Sequence, residues 1–127
     1  TDPACPYCRK VDDFLAKRAD VTRYVYIVPL RRIHPDAEKK ARYILSQPDR
    51  GKAFHEVFTG QLDGKPIAIT DGVQQQQLEE MEKIAAGIGV RGTPALWIEG
   101  AHVNGADIQR ISGLLDKGKE VSKPQSH

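Results

Sequence analysis

The chain holds two cysteines, and they stand as Cys5-Pro6-Tyr7-Cys8 where a helix is set to begin. Thiols at i and i+3 in the first turn of a helix come within disulfide reach. The first of them also meets the unpaired amides and the positive end of the helix dipole, which favour a thiolate. Pro6 suits the first helical position, where its missing N–H costs nothing, so Cys5 is expected as the N-cap and Tyr7 and Cys8 as helix. A lowered pKa would make Cys5 the attacking sulfur and Cys8 the resolving one in thiol–disulfide exchange.

Two other uses of the pair compete with exchange. A Cys-x-x-Cys can be half of a zinc site, but a closed site takes about four ligands. No second cysteine pair exists, and His34, His55 and His102 are scattered singly without i, i+4 pairing. The other is an inert, purely structural disulfide. Cysteine spacing of this kind favours exchange over both.

The elements that must position the pair fit in one domain, since 127 residues give room for one core and not two. Hydrophobic content of 39% and charged content of 28% are those of a soluble globular protein. The net charge of +2 arises from interspersed bases such as Arg31-Arg32 and Lys39-Lys40, each offset by nearby acids. No basic block interleaved with aromatics appears, which argues against a nucleic-acid partner. No apolar run approaches the roughly 20 residues of a membrane span, and no charged-then-apolar leader opens the sequence. Two cysteines make no disulfide framework from which to argue a secreted compartment.

Apolar spacing predicts a first helix over 6–18, with Val11, Phe14 and Leu15 on one face. Residues 21–28, Val-Thr-Arg-Tyr-Val-Tyr-Ile-Val, read as a strand closed by Pro29, with Tyr24 and Tyr26 on the same side in core or edge packing. A helix is expected over 36–46 on Ala37, Ala41, Ile44 and Leu45, opened by Asp36. Another covers 50–59 on Ala53, Phe54, Val57 and Phe58, with Gly60 as terminator. Asp63-Gly64-Lys65-Pro66 is turn chemistry. The glutamines at 74–77 open a longer helix whose buried stripe is Leu78, Met81, Ile84, Ala85 and Ile88, ended by Gly87 or Gly89. Residues 95–98 and 101–103 form a hairpin around Glu99-Gly100, broken by Asn104-Gly105. Asp107 lies at or near the start of a last helix packed through Ile108, Ile111, Leu114 and Leu115. Residues 119–127 read as a mobile polar tail.

The order Cys-x-x-Cys helix, strand, helices, Thr-Pro, hairpin, helix resembles the thioredoxin superfamily, and most closely the DsbC/DsbG-type disulfide isomerases. Thr1-Asp2-Pro3-Ala4 before Cys5 resembles that group's run into its active site, and Gly89-Val90-Arg91-Gly92-Thr93-Pro94-Ala95 resembles its cis-proline segment. Asp36-Ala37-Glu38-Lys39 is similar to the start of its helical insertion. Glutaredoxins share Cys-Pro-Tyr-Cys, but the span from Cys8 to Pro94 is far longer than theirs and calls for inserted helices rather than a structureless loop.

The resemblance implies an α/β thioredoxin-like fold over 1–118, with a helical insertion and following helix over about 35–89, between the first βα unit and the cis-Pro hairpin. It implies catalysis by Cys5 and Cys8, with Pro6 and Tyr7 shaping the site, and binding of protein substrates at Thr93 and Pro94. Pro94 is expected cis against the active-site disulfide, leaving the Thr93 backbone free to pair with an extended substrate segment. The Thr93 hydroxyl either approaches the Cys5 sulfur or simply packs. No cofactor or metal is implied beyond a redox-active Cys5–Cys8 disulfide. The implied partners are proteins with cysteines or disulfides and a membrane or thioredoxin-like redox partner, in the bacterial periplasm.

Two departures from the group stand out. Its members often carry another cysteine pair in the helical region, where this chain has Ile44-Leu45-Ser46-Gln47. Its central strand runs directly into the active-site helix, whereas only Thr1 to Ala4 precede Cys5 here. The expectation is therefore that Thr1 is not the true N-terminus, and that a preceding segment holds a Val/Ile-rich strand and, in an isomerase, a dimerisation domain. Three functions remain open: an oxidoreductase/isomerase of protein disulfides, a monomeric oxidase or reductase without isomerase activity, and a non-catalytic interaction domain.

Overall fold

Helix α1, Pro6–Ala16, starts where proline at its first position predicts, with Cys5 extended at the N-cap (φ −82°, ψ 122°). The computed structural model describes residues 1–70 and 72–122. α1 stops short of the expected Arg18, whose guanidinium leaves the helix to bridge Asp20 and Asp116. α2, Ala37–Ser46, buries Ala37, Ala41, Ile44 and Leu45 as its apolar spacing requires. α3, Arg50–Phe58, is capped by Asp49, which accepts the Lys52 N–H at 3.0 Å. Gly60 ends it in the left-handed region at φ 81°, where a side chain would be strained.

α4, Gln75–Gly87, departs from its expected stripe. Leu78 and Ala85 are buried, but Ile84 and Ile88 are about half exposed. Ile88 opens instead on an apolar cleft of about 800 Å³ between residues 21–28 and the hairpin. The hairpin pairs β1, Ala95–Ile98, with β2, Ala101–Asn104, antiparallel with Ile98 opposite Ala101. Glu99 (φ 49°) and Gly100 (φ 83°) are both left-handed, the two-residue turn whose twist matches its strands. Trp97 and His102 face each other across the hairpin and stack at 4.2 Å.

α5, Ile108–Ser122, begins after Asp107, whose carboxylate accepts the Arg110 N–H at 3.1 Å. It carries on through 119–122, where a tail was expected, because the first strong breaker is Pro124. The rest of the expected tail, 123–127, lies outside the described residues.

Residues 21–28 form no strand. Among the described residues only Thr1 runs beside them: its amino group donates to the Tyr26 carbonyl (2.9 Å), and the Val28 N–H donates to the Thr1 carbonyl (2.7 Å). These two bonds bracket Ile27 in the parallel pattern, and a ladder needs more than one such bridge. Ile27 is buried, whereas Tyr24 and Tyr26 face outward at 90% and 45% exposure rather than packing.

The core falls into two clusters. One joins Cys5, Cys8 and Ile27 to Ala41, Ile44, Leu45, Ala53, Val57, Phe58 and Leu78. The other joins Val11 of α1 to Ile98, Val103 and Ile111. α1 thus presents its thiols to the helices of the insertion and its second turn to the hairpin and α5.

Ion pairs lock α1 onto the insertion. The Arg9 guanidinium grips Asp63 through both nitrogens (2.6 and 2.9 Å) and donates to the Pro3 carbonyl at 3.0 Å. Asp63 also accepts from Lys40 Nζ at 2.9 Å, and Lys40 is buried in α2. The turn that carries Asp63 is therefore also a hub of ion pairs. Arg9 and Lys40 hold the Asp63 carboxyl well below the usual carboxylate range, against a smaller opposing effect of burial. A group depressed on folding contributes stability above its unfolded pKa and loses it as pH falls. Asp63→Asn should lower unfolding free energy at pH 7 by about 1–2 kcal/mol. The gap from wild type should close below about pH 4, as urea titrations across pH would read.

Candidate active site

The first turn of α1 places Cys5 and Cys8 side by side, both as free thiols and both buried, at 5% and 1% exposure. No side chain caps the helix, so no oxygen competes with a sulfur for its first amides. The Cys5 N–H is held by the Asp2 carbonyl (3.2 Å), and the Cys5 carbonyl accepts from Arg9 N–H as the helix starts (3.1 Å). Pro6 occupies the first helical position and Tyr7 points outward, 65% exposed.

The Thr93–Pro94 peptide is cis and closes the site from the other side. Cys5 Sγ faces the Thr93 carbonyl at 4.0 Å. Of the two placements open to the Thr93 hydroxyl, bonding near the Cys5 sulfur or simply packing, the structure shows packing. Thr93 Oγ1 is buried without a hydrogen-bond partner.

Burial raises the Cys8 pKa, and the Thr93 hydroxyl, the Asp2 N–H and Thr1 only partly oppose it. Asp2 N donates to Cys8 Sγ at 3.4 Å. A thiol kept protonated behind its partner suits a resolving role, because it waits until the first sulfur is engaged. Beside Pro94, Gly92, Arg91, His102 and Asn104 line an open groove.

All six residues singled out in the sequence, Cys5, Pro6, Tyr7, Cys8, Thr93 and Pro94, meet at this one place. Sequence reasoning missed Asp2, whose carboxylate is fully buried beneath the turn. The signal was present: Asp-Pro before a helix is turn chemistry, and Asp2 Oδ1 accepts the Ala4 N–H at 2.9 Å as such turns do. His34, at 2.9 Å from Asp2 Oδ2, carried no signal, because nothing in the spacing links it to residue 2.

A buried dithiol at an uncapped helix start, faced by a cis X-Pro peptide ahead of a hairpin, defines a thioredoxin-like redox domain. A thioredoxin-like domain model matches residues 1–123, and the chain belongs to that family. A disulfide interchange protein of Neisseria gonorrhoeae is similar in structure, with a TM-score of 0.73 and 28% sequence identity over 92% of this chain and 82% of that one. No curated protein matches significantly. Together the findings support the DsbC/DsbG-type resemblance and a thiol–disulfide oxidoreductase.

Thr93→Val should remove an unpaired buried hydroxyl without leaving a cavity. We expect stability at or up to about 1 kcal/mol above wild type by chemical denaturation. The Cys8 pKa should rise further, read by thiolate absorbance in a Cys5→Ser background.

Proposed function

We propose that this chain is the catalytic domain of a disulfide oxidoreductase of the isomerase type, acting on protein thiols and disulfides. The observation that carries the reading is the asymmetry of the two sulfurs. Cys5 sits at the helix start against the Thr93 main chain, and Cys8 is buried behind it with a raised pKa. A substrate segment laid along Thr93 would bring its disulfide to Cys5.

The Cys5 thiolate attacks one substrate sulfur, forming a mixed disulfide and expelling the other sulfur as a thiolate. If Cys8 then attacks Cys5, the substrate leaves reduced and the enzyme holds a Cys5–Cys8 disulfide. If a substrate thiol attacks the substrate's own mixed-disulfide sulfur, that sulfur is reclaimed in a new pairing, Cys5 leaves as thiolate, and no net electrons move. The second route is isomerisation and returns Cys5 as a thiolate; the first leaves a Cys5–Cys8 disulfide, which an external reductant, such as a membrane or thioredoxin-like partner, must reduce before Cys5 can attack again. The similarity to a disulfide interchange protein supports a periplasmic setting for this chemistry.

Cys5→Ser should abolish both reduction of insulin disulfides and recovery of scrambled ribonuclease. Cys8→Ser should lose reduction and accumulate mixed disulfides on a non-reducing gel, while keeping part of the recovery. Wild-type reduction by the Cys5 variant would refute the mechanism, and loss of recovery together with reduction in the Cys8 variant would favour a plain reductase.

A further inference from the structure

The Asp2 carboxylate is fully buried, and each of its oxygens is used. Oδ1 accepts the Ala4 N–H at 2.9 Å, while Oδ2 accepts the Leu30 N–H at 3.1 Å and meets His34 Nδ1 at 2.9 Å. The main chain of the same residue serves the site directly. Its N–H lies on Cys8 Sγ at 3.4 Å, and its carbonyl holds the Cys5 N–H at 3.2 Å. One residue therefore joins both halves of the dithiol turn to a corner of the chain that is distant in sequence.

That corner is built to hold the ring. The N–H groups of Ile33 and His34 both donate to the Leu30 carbonyl, at 3.0 and 2.7 Å, and the His34 carbonyl accepts the Ala37 N–H as α2 begins. A carboxylate oxygen accepts only, so Nδ1 carries the hydrogen of this contact. A buried carboxylate is costly unless its lone pairs are satisfied, and loss of a partner leaves it free to shift toward water. The other charged or titratable groups near Asp2 are the Thr1 amino group, the two thiols and Arg9 of α1, the last already held by Asp63 and the Pro3 carbonyl.

We propose that Asp2 and His34 form a positioning pair for the exchange reaction, in which the imidazole fixes the buried carboxylate and so keeps the Asp2 N–H on Cys8 Sγ. This rests on the exchange reading above. The step it assists is resolution: the Cys8 thiol gives its proton to solvent, and its sulfur attacks Cys5 of the mixed disulfide. The Cys5–Cys8 bond forms as the Cys5–substrate bond breaks, and the substrate sulfur leaves with the electron pair as a thiolate. An N–H aimed at Cys8 is worth more to the thiolate than to the thiol, because hydrogen bonds to charged acceptors are the stronger ones.

The test uses the full chain carrying thionitrobenzoate on Cys5, with release of the chromophore by Cys8 followed in stopped flow. His34→Ala should slow release about tenfold and raise the Cys8 pKa, measured in a Cys5→Ser background, by about one unit. His34→Asn, which keeps an N–H donor near the place of Nδ1, should return release to within about twofold of wild type. Unchanged release in His34→Ala would overturn the pairing, as would equal slowing in both variants, which would mark a purely structural role. Should His34→Ala fail to fold, Asp2→Asn gives the same reading: slowed release supports the pair, and wild-type release overturns it. A wild-type protein without exchange activity would sink the exchange reading, while the Cys8 pKa difference between the two His34 variants still decides the pair.

Discussion

A helix start must satisfy its first amides somehow, and most helices spend a side-chain oxygen on them. α1 does not, because its N-cap is Cys5 and no side chain bonds to the turn. The amides and the dipole stay available to sulfur, at the cost of the clamp that a capping serine or aspartate would supply. Order has to come from outside the helix. Asp2 supplies it from below through main chain and carboxylate, and Arg9 supplies it by tying the Pro3 carbonyl to Asp63. The reactive turn is rigid because its neighbours hold it.

That division of labour explains why the helical insertion is part of the site. The thiols belong to the cluster built by α2, α3 and Leu78 of α4, not to the one built by the hairpin. Burial against those helices is the largest cause of the raised Cys8 pKa. The hairpin contributes by another route: the cis Thr93–Pro94 peptide sets a carbonyl against Cys5. One thiol pair is thus tuned by packing from one side and by main-chain geometry from the other.

Most of this was legible where short-range rules govern. Proline at the first helical position, the Gly60 terminator, the two-residue Glu99-Gly100 turn and the apolar face of α2 follow from local chemistry, and the structure has them. What misled was dependence on a partner. Residues 21–28 have strand composition, but pairing takes a neighbour along their length, and among the described residues only Thr1 bonds to their main chain. Ile84 and Ile88 keep helical spacing yet stay about half exposed, Ile88 opening toward the cleft beside that segment. At the site, the cysteines and Thr-Pro announced themselves by motif. Asp2, His34 and the Arg9–Asp63–Lys40 network did not, since each links positions far apart whose contact the fold alone creates.

The placement of both sulfurs in the insertion's cluster bears on how such a site could be transplanted. Moving Cys-Pro-Tyr-Cys into a compact scaffold would carry over the helix start and its dipole. It would leave behind the floor that keeps the second sulfur protonated, and the salt-linked strut from Arg9 to Lys40 that stops the turn from swinging. A portable unit would therefore need the active-site helix, α2, α3 and the loop that carries Asp63 as well as the Thr93–Pro94 segment, parts joined by contacts rather than by sequence adjacency.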